Sequence, residues 1–166
     1  MAAIRAGVLS DTHLRGPDQL FRDQAAACFA DVDIIFHAGD LIDHSILAAF
    51  NGKTVHAVYG NMCNSATSKL LPARKIVNLA GHTIALVHCT QLFGQTDEHL
   101  LATFPEADCI IYGHTHRAAI TRIGSVLLLN PGSFSSTGRF GACGTYAILE
   151  TGDTLQGRIF EVPDKR

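Results

Sequence analysis

The sequence predicts an α/β protein in which two sheets pack face to face and helices cover their outer faces. Three observations carry this expectation. The first half alternates short apolar runs with segments of helical period, a β-α-β-α-β pattern. The second half is richer in strand-like runs separated by Gly/Ser/Thr turns. Five of the runs also stop abruptly at polar or glycine-led clusters, at Asp11, Gly39-Asp40, Gly60-Asn61, His88 and Gly113-His114. In open α/β sheets, functional sites gather beyond the carboxyl ends of the strands.

Each element follows from its residues. Residues 4–9 are a short apolar run leading into Ser10-Asp11-Thr12-His13, which reads as a buried strand entering a loop. Across 18–30, Leu20, Phe21, Ala25, Cys28 and Phe29 recur near a helical period, with Pro17 as the opener. Residues 33–38 are a second buried strand ending at Gly39-Asp40, and 43–50 a short helix closed by Asn51-Gly52. Residues 54–59 are a strand ending at Gly60-Asn61, while 75–79 and 82–88 flank Ala80-Gly81 and predict a hairpin. Residues 95–104 read as helix, and 108–112 as a strand ending at Gly113-His114-Thr115-His116. Runs at 117–123, 125–129, 144–150 and 154–161 read as antiparallel strands.

Composition narrows the function. A chain of 166 residues, 47% hydrophobic and 17% charged, suits one compact soluble domain. A net charge of -2 with no basic stripe and interleaved aromatics argues against long nucleic acid as substrate. The N-terminal apolar stretch is broken by Arg5 and Asp11, too early for a secretion signal. No window approaches the roughly 18 apolar residues a membrane span needs. The five scattered cysteines contain no CxxC pair and read as free thiols in a reducing compartment, so the expected setting is the cytoplasm.

Histidine stands out, with nine in the chain. Two metal ions roughly 3.5–4 Å apart can clamp the attacking and leaving oxygens of a displacement at phosphorus. Such a pair needs neutral imidazoles, amide or carboxylate oxygens, and a carboxylate able to bridge; Mn, Fe or Zn accept this mixed N/O set. Asp11 and His13 lie two apart, as do His114 and His116, so in an extended segment each pair presents both side chains on one side. Glycines directly before Asp40, Asn61 and His114 allow the sharp turns that place a ligand at a strand tip.

The ordered series D-x-H, G-D, G-N, a lone His closing a strand, and G-H-x-H resembles the motif series of the calcineurin-like metallophosphoesterases. Asn130-Pro131-Gly132-Ser133, just after G-H-T-H, resembles their small bacterial and archaeal phosphodiesterase branch. The resemblance runs from about residue 4 to about residue 160. It implies a four-layer α-β-β-α sandwich of two mixed sheets. It also implies that Asp11, His13, Asp40 and His116 hold one metal and that Asp40, Asn61, His88 and His114 hold the other, with Asp40 bridging. Asp40, Asn61 and His88 would then stand at the reacting centre. Mn2+ is the expected ion, with Ni2+, Fe, Zn2+ or Mg2+ as other candidates, and a metal-bridging hydroxide is the implied nucleophile. The expected substrate is a small phosphoester, a diester ahead of a monoester. A homodimer or homotetramer is the expected assembly.

Two departures matter. Larger members carry a His directly after G-N that helps protonate the leaving group; here Met62 follows, then Cys63 and Asn64. The expectation is therefore a preference for acidic leaving groups, such as aryl esters. The residue after the strand-end His is usually Gly, and here it is Cys89, a side chain able either to narrow the pocket or to contact the second ion. His44 is a candidate proton donor and Arg139, in a Gly/Ser-rich loop, a candidate phosphate contact. His37, Thr12 and Thr115 are expected behind the ligands, and Asn130 with Ser133 in a turn behind G-H-T-H. The rival function is a non-catalytic scaffold of the same fold, like the retromer subunit; the complete ligand set argues for an enzyme.

Overall fold

Alternation along the first strand sets the layers. Ala6 and Val8 face one way, into a core shared by two sheets, while Gly7 and Leu9 face the other way, toward a helix. The computed structural model describes residues 3–89, 97–135 and 141–164. In chain order its elements are β1 (Arg5–Leu9), α1 (Gln19–Cys28), β2 (Ile34–His37), a 3-10 helix (His44–Phe50), β3 (Thr54–Ala57), α2 (Ser65–Leu70), β4 (Arg74–Leu79), β5 (His82–His88), α3 (Asp97–Thr103), β6 (Cys109–Gly113), β7 (Ala119–Ile123), β8 (Val126–Asn130), β9 (Thr145–Glu150) and β10 (Gln156–Glu161).

These form two mixed five-stranded sheets, ordered β10-β9-β1-β2-β3 and β4-β5-β6-β8-β7. In the first, β1, β2 and β3 are parallel and the β9–β10 hairpin adds antiparallel to β1. In the second, β5, β6 and β8 are parallel, flanked by antiparallel β4 and β7. Between the sheets lie Ala6, Val8 and Phe36 from one side and Ile84, Leu86, Ile111 and Leu129 from the other. The intervening residues Ala85, Val87, Ile110 and Leu128 turn outward to meet Leu100 of α3 and Phe104 beyond it. On the opposite outer face Phe21, Ala25 and Cys28, one stripe of α1, join Phe29, Ile46 and Phe50 over Leu9, Ile35 and Ile148. The result is a four-layer α-β-β-α sandwich. Each fully buried Leu, Ile or Phe contributes about 1.5–3 kcal/mol. Gly7 admits Phe29, whose ring would collide with any Cβ there.

Local signals explain the element ends. Asp18 caps α1 through its side chain, accepting the Phe21 amide at 2.8 Å. The β4–β5 hairpin turns on Ala80 and Gly81, both with positive φ, in the two-residue loop that suits strand twist.

Several expectations shift. The helix expected over 43–50 is a 3-10 helix, capped by Asp43. The short α2, started by Asn64, was not legible: it buries only Thr67 and so leaves no apolar period. Of the final runs expected as antiparallel, β8 pairs antiparallel with β7 but runs parallel to β6, and the last hairpin crosses back to the first sheet. No helix among the described residues is long and apolar enough to cross a membrane.

Candidate metal centre

The carboxyl ends of the parallel strands of both sheets meet at one edge of the sandwich. The chain leaves them through an unusual backbone. Asp11 (φ 55°), His13 (49°), Asp40 (57°), His114 (90°) and His116 (58°) all occupy the left-handed region, and Ala80 is the one other non-glycine residue there among those described. Such conformations cost of order 1–3 kcal/mol each and persist where the surroundings impose them. This corrects the extended-segment reading of D-x-H and H-x-H: all four residues sit in left-handed turns, which put Asp11 and His13 in one ligand group but send His114 and His116 to different ones. The loops are laced by Asp11 N–H to Gly39 O at 2.9 Å and His13 N–H to Asp40 O at 3.0 Å.

Glycine has two different jobs here. Gly39 takes a positive φ of 97° and makes the turn before Asp40. Gly60 and Gly113 instead allow close approach. A Cβ on Gly60 would reach 2.7 Å from the Asp40 amide and from the His88 ring, and one on Gly113 would strike the Ser10 hydroxyl and come to 2.8 Å from Ala38 O.

One group of side chains is Asp11, His13 and His116; a second is Asp40, His88 and His114. Within each, one potential ligand atom per residue lies within 4.8 Å of the others. In the first, Asp11 is fully buried. Its Oδ2 accepts from Ser10 Oγ at 2.6 Å and the His114 amide at 3.1 Å. Its Oδ1 is buried and receives no hydrogen bond, although His116 Nε2 approaches to 3.2 Å. His13 Nε2 and His116 Nε2 face each other at 3.3 Å. An unpartnered carboxylate oxygen beside two imidazole nitrogens is a donor set for a cation.

The second set closes around His88. Its Nδ1 donates to Ala38 O at 2.8 Å, which fixes the ring and leaves Nε2 3.2 Å from both Asp40 Oδ2 and Asn61 Oδ1. Two oxygen acceptors and a ring nitrogen therefore converge on one point. Burial opposes charge on His88, but the hydrogen bond and charge of Asp40 outweigh it and raise its pKa. Burial likewise works against ionised Asp40, while His88 and the Met62 amide, at 2.8 Å from Asp40 Oδ1, hold its pKa below the usual range. Burial and the charge of His88 lower the pKa of His114, keeping its imidazole neutral.

Supporting residues fix these loops from behind. His37 is fully buried; its Nδ1 accepts the Gly39 amide at 3.2 Å, so Nε2–H donates to Thr12 Oγ1 at 3.1 Å. Asn130 donates to Thr115 Oγ1 at 2.9 Å and accepts the Gly132 amide in its own turn. Ser133 Oγ lies 3.0 Å from Asp11 O, and the Phe134 amide donates to Ser10 O at 2.9 Å, strapping the first loop. Ser10 is a supporting residue that the motif series does not single out. The signal for it was a polar residue at the buried end of β1.

Other expected residues fall elsewhere. His44 makes its contacts with Thr67 and Asp43 and belongs to neither ligand group. Arg139 lies outside the described residues. Cys89 belongs to neither ligand group: it is buried among Val87, Leu100 and Phe104, and burial, with Asp11 and Asp97, pushes its thiol up to about 12. Met62 is half exposed beside Asn61.

A family model, the calcineurin-like phosphoesterase superfamily domain, matches residues 4–154. A probable metallophosphoesterase of Methanocaldococcus jannaschii is 36% identical over 133 residues, 76% of this chain and 66% of that protein, so the chain spans just under two thirds of that relative. A phosphodiesterase of the same organism is 26% identical over 164 residues, 89% of this chain and 93% of the relative. Among solved structures, a conserved uncharacterized protein and predicted phosphoesterase of Streptococcus pneumoniae aligns with TM-score 0.76 and 27% identity over 97% of this chain and 91% of that one. Vps29 of Entamoeba histolytica, solved with Zn2+, shares the fold at TM-score 0.73 and 20% identity, over 96% of this chain and 100% of that one. By its motifs, its layers and the family model spanning nearly all of it, the chain belongs to the calcineurin-like phosphoesterase superfamily.

Proposed function

We propose that the chain is a metal-dependent phosphodiesterase whose ligands are Asp11, His13 and His116 for one divalent ion and Asp40, Asn61, His88 and His114 for a second, with Asp40 shared. The observation that carries this is the buried, unpartnered Oδ1 of Asp11 beside two imidazole nitrogens, next to a second set converging on His88 Nε2. Mn2+ suits the mixed nitrogen and oxygen donors. Bound there, the two ions supply Lewis-acid charge for in-line attack of water on phosphorus. The protein's part is to hold that charge in place. Ser10 and the His114 amide orient Asp11, Ala38 O orients His88, and the Met62 amide orients Asp40.

The substrate class follows from what stands after Asn61. Met62 has no proton to give, and His44 turns its Nδ1 to Thr67 and Asp43 and joins neither ligand group, so among the described residues neither of these two supplies a placed acid for a poor alkoxide. Diesters with acidic leaving groups fit best, and the archaeal phosphodiesterase relative supports the diester class. The test is hydrolysis of bis(p-nitrophenyl) phosphate against p-nitrophenyl phosphate by metal-stripped protein after return of Mn2+, Ni2+, Zn2+ or Mg2+. Metal-dependent diester hydrolysis lost in Asp40→Asn supports the proposal. Dominant monoester hydrolysis keeps the mechanism and overturns the substrate class.

A second reading, a protein-interaction scaffold, is favoured by the likeness of fold to Vps29. A folded protein that turns over neither ester with any of the four ions supports it.

A further inference from the structure

One cavity shares a wall with the ligand sets. It is a surface depression of about 460 Å³, open to solvent and lined by Tyr112, His114, Thr115, Arg117 and Ala119, a size that suits a small-molecule substituent. His114 belongs to the second ligand group, so an occupant of this space adjoins the metal centre.

The polar groups around it are donors. Thr115 Oγ1 accepts from Asn130 Nδ2 at 2.9 Å and from the Arg117 amide at 3.3 Å, which leaves its own proton to be donated. Tyr112 adds a phenol O–H to the lining, a donor at neutral pH as any ordinary phenol is. Arg117 is exposed and permanently charged, with a planar fork that matches an oxyanion. No carboxylate lines the cavity among the described residues; Asp97, which acts on Tyr112, sits on α3. The cavity of about 350 Å³ bounded by Leu14, Phe21 and Phe134 is the opposite case, lined by Asp18 and Asp164 and, among the described residues, by no cation.

We infer that the cavity beside His114 is the subsite for an anionic ester arm, so that the preferred substrate is a phosphodiester whose retained arm carries a further phosphate. The inference rests on the phosphoesterase reading of the centre.

Three p-nitrophenyl diesters that share a leaving group test it. Thymidine 5'-(p-nitrophenyl phosphate) has a neutral retained arm, its 3'-phosphorylated form an anionic one, and p-nitrophenyl phosphorylcholine a cationic one. With metal supplied and at low ionic strength, kcat/KM for the 3'-phosphorylated ester exceeds that for the neutral ester by about tenfold, mostly through KM, as one solvent-exposed charged hydrogen bond allows. The choline ester ranks last. In Arg117→Ala the ratio of anionic to neutral ester falls to within about twofold, Arg117→Lys recovers part of it, and Arg117→Glu inverts it. A wild-type ratio near one, or a ratio that persists in Arg117→Ala, overturns the subsite while leaving the phosphoesterase reading standing. Absence of turnover on all three esters overturns both.

Discussion

Asp11 Oδ1 lies 3.2 Å from His116 Nε2 and 3.7 Å from His13 Nε2, fully buried, with no hydrogen bond of its own. Stranding a buried acceptor costs about 1–3 kcal/mol, more when it is charged. The chain tolerates that cost at the position where five of its ligand candidates also sit in left-handed backbone. Strain and an unmet acceptor in one place are what a cation site needs and what packing alone avoids.

Metal return therefore stabilises the protein. At about 100 times the dissociation constant each site adds about 2.7 kcal/mol, which for a domain of this size raises Tm by several degrees. Asp11→Asn abolishes part of that rise. In the metal-free state it is at least as stable as the wild type, because its amide can donate where Oδ1 could only accept. Differential scanning calorimetry with and without Mn2+ checks both statements, and a metal-free variant melting well below wild type contradicts them.

His37 gives the pH dependence. Burial, with the charge of His88, lowers its pKa from 6.5 to about 3. The unfolded chain takes up a proton as pH falls below about 6.5, and the folded chain does not until about 3. Stability from this group is fully present above pH 6.5 and drains away between 6.5 and 3, at up to about 1.4 kcal/mol per pH unit. Urea unfolding across that window shows the slope, and His37→Gln flattens it. His37→Leu unpairs the Gly39 amide and the Thr12 hydroxyl and destabilises by about 1–3 kcal/mol at pH 7.

Gly60→Ala separates site from fold. Its Cβ would press on the Asp40 carboxylate and the His88 ring, at the open end of the sheets and away from the inter-sheet core. Metal-dependent activity falls by about 100-fold or more, in line with the sensitivity of catalysis to misplacement of about 1 Å. The far-ultraviolet circular dichroism spectrum stays that of the wild type. Retained activity would show that the second ligand set does not act as placed.

Met62→His supplies the missing acid. The wild type is expected to prefer p-nitrophenyl leaving groups over alkyl ones. The substitution raises turnover of alkyl esters by about 10–100-fold, the lower end of what a positioned acid gives, and changes aryl esters little. A variant series across leaving-group pKa reads this as a flatter slope.

The seven ligand candidates were legible because each stands at a strand tip in a fixed order, and local apolar runs reveal where strands end. Their backbone was not. Asp11 and His13 read as neighbours on one face of an extended segment, whereas both take a positive φ imposed by contacts with Gly39 and Asp40, 28 and 27 residues away. The same limit hid the pairing of β8 with β6 and the return of β9 to β1, since partner choice depends on distant strands. Asn64 carried the cap of α2 in plain view, but a helix that buries only Thr67 leaves no periodic trace. Cys89 was ambiguous for a related reason: which face a residue takes just past a strand end depends on the packing that receives it, here Leu100 and Phe104.

Two metal sites in one cleft can be seen directly in crystals grown with Mn2+ and measured by anomalous diffraction. Two anomalous peaks per chain are expected, one among Asp11, His13 and His116, the other among Asn61, His88 and His114, with Asp40 touching both. A single peak, or none at these residues, contradicts the two-metal site.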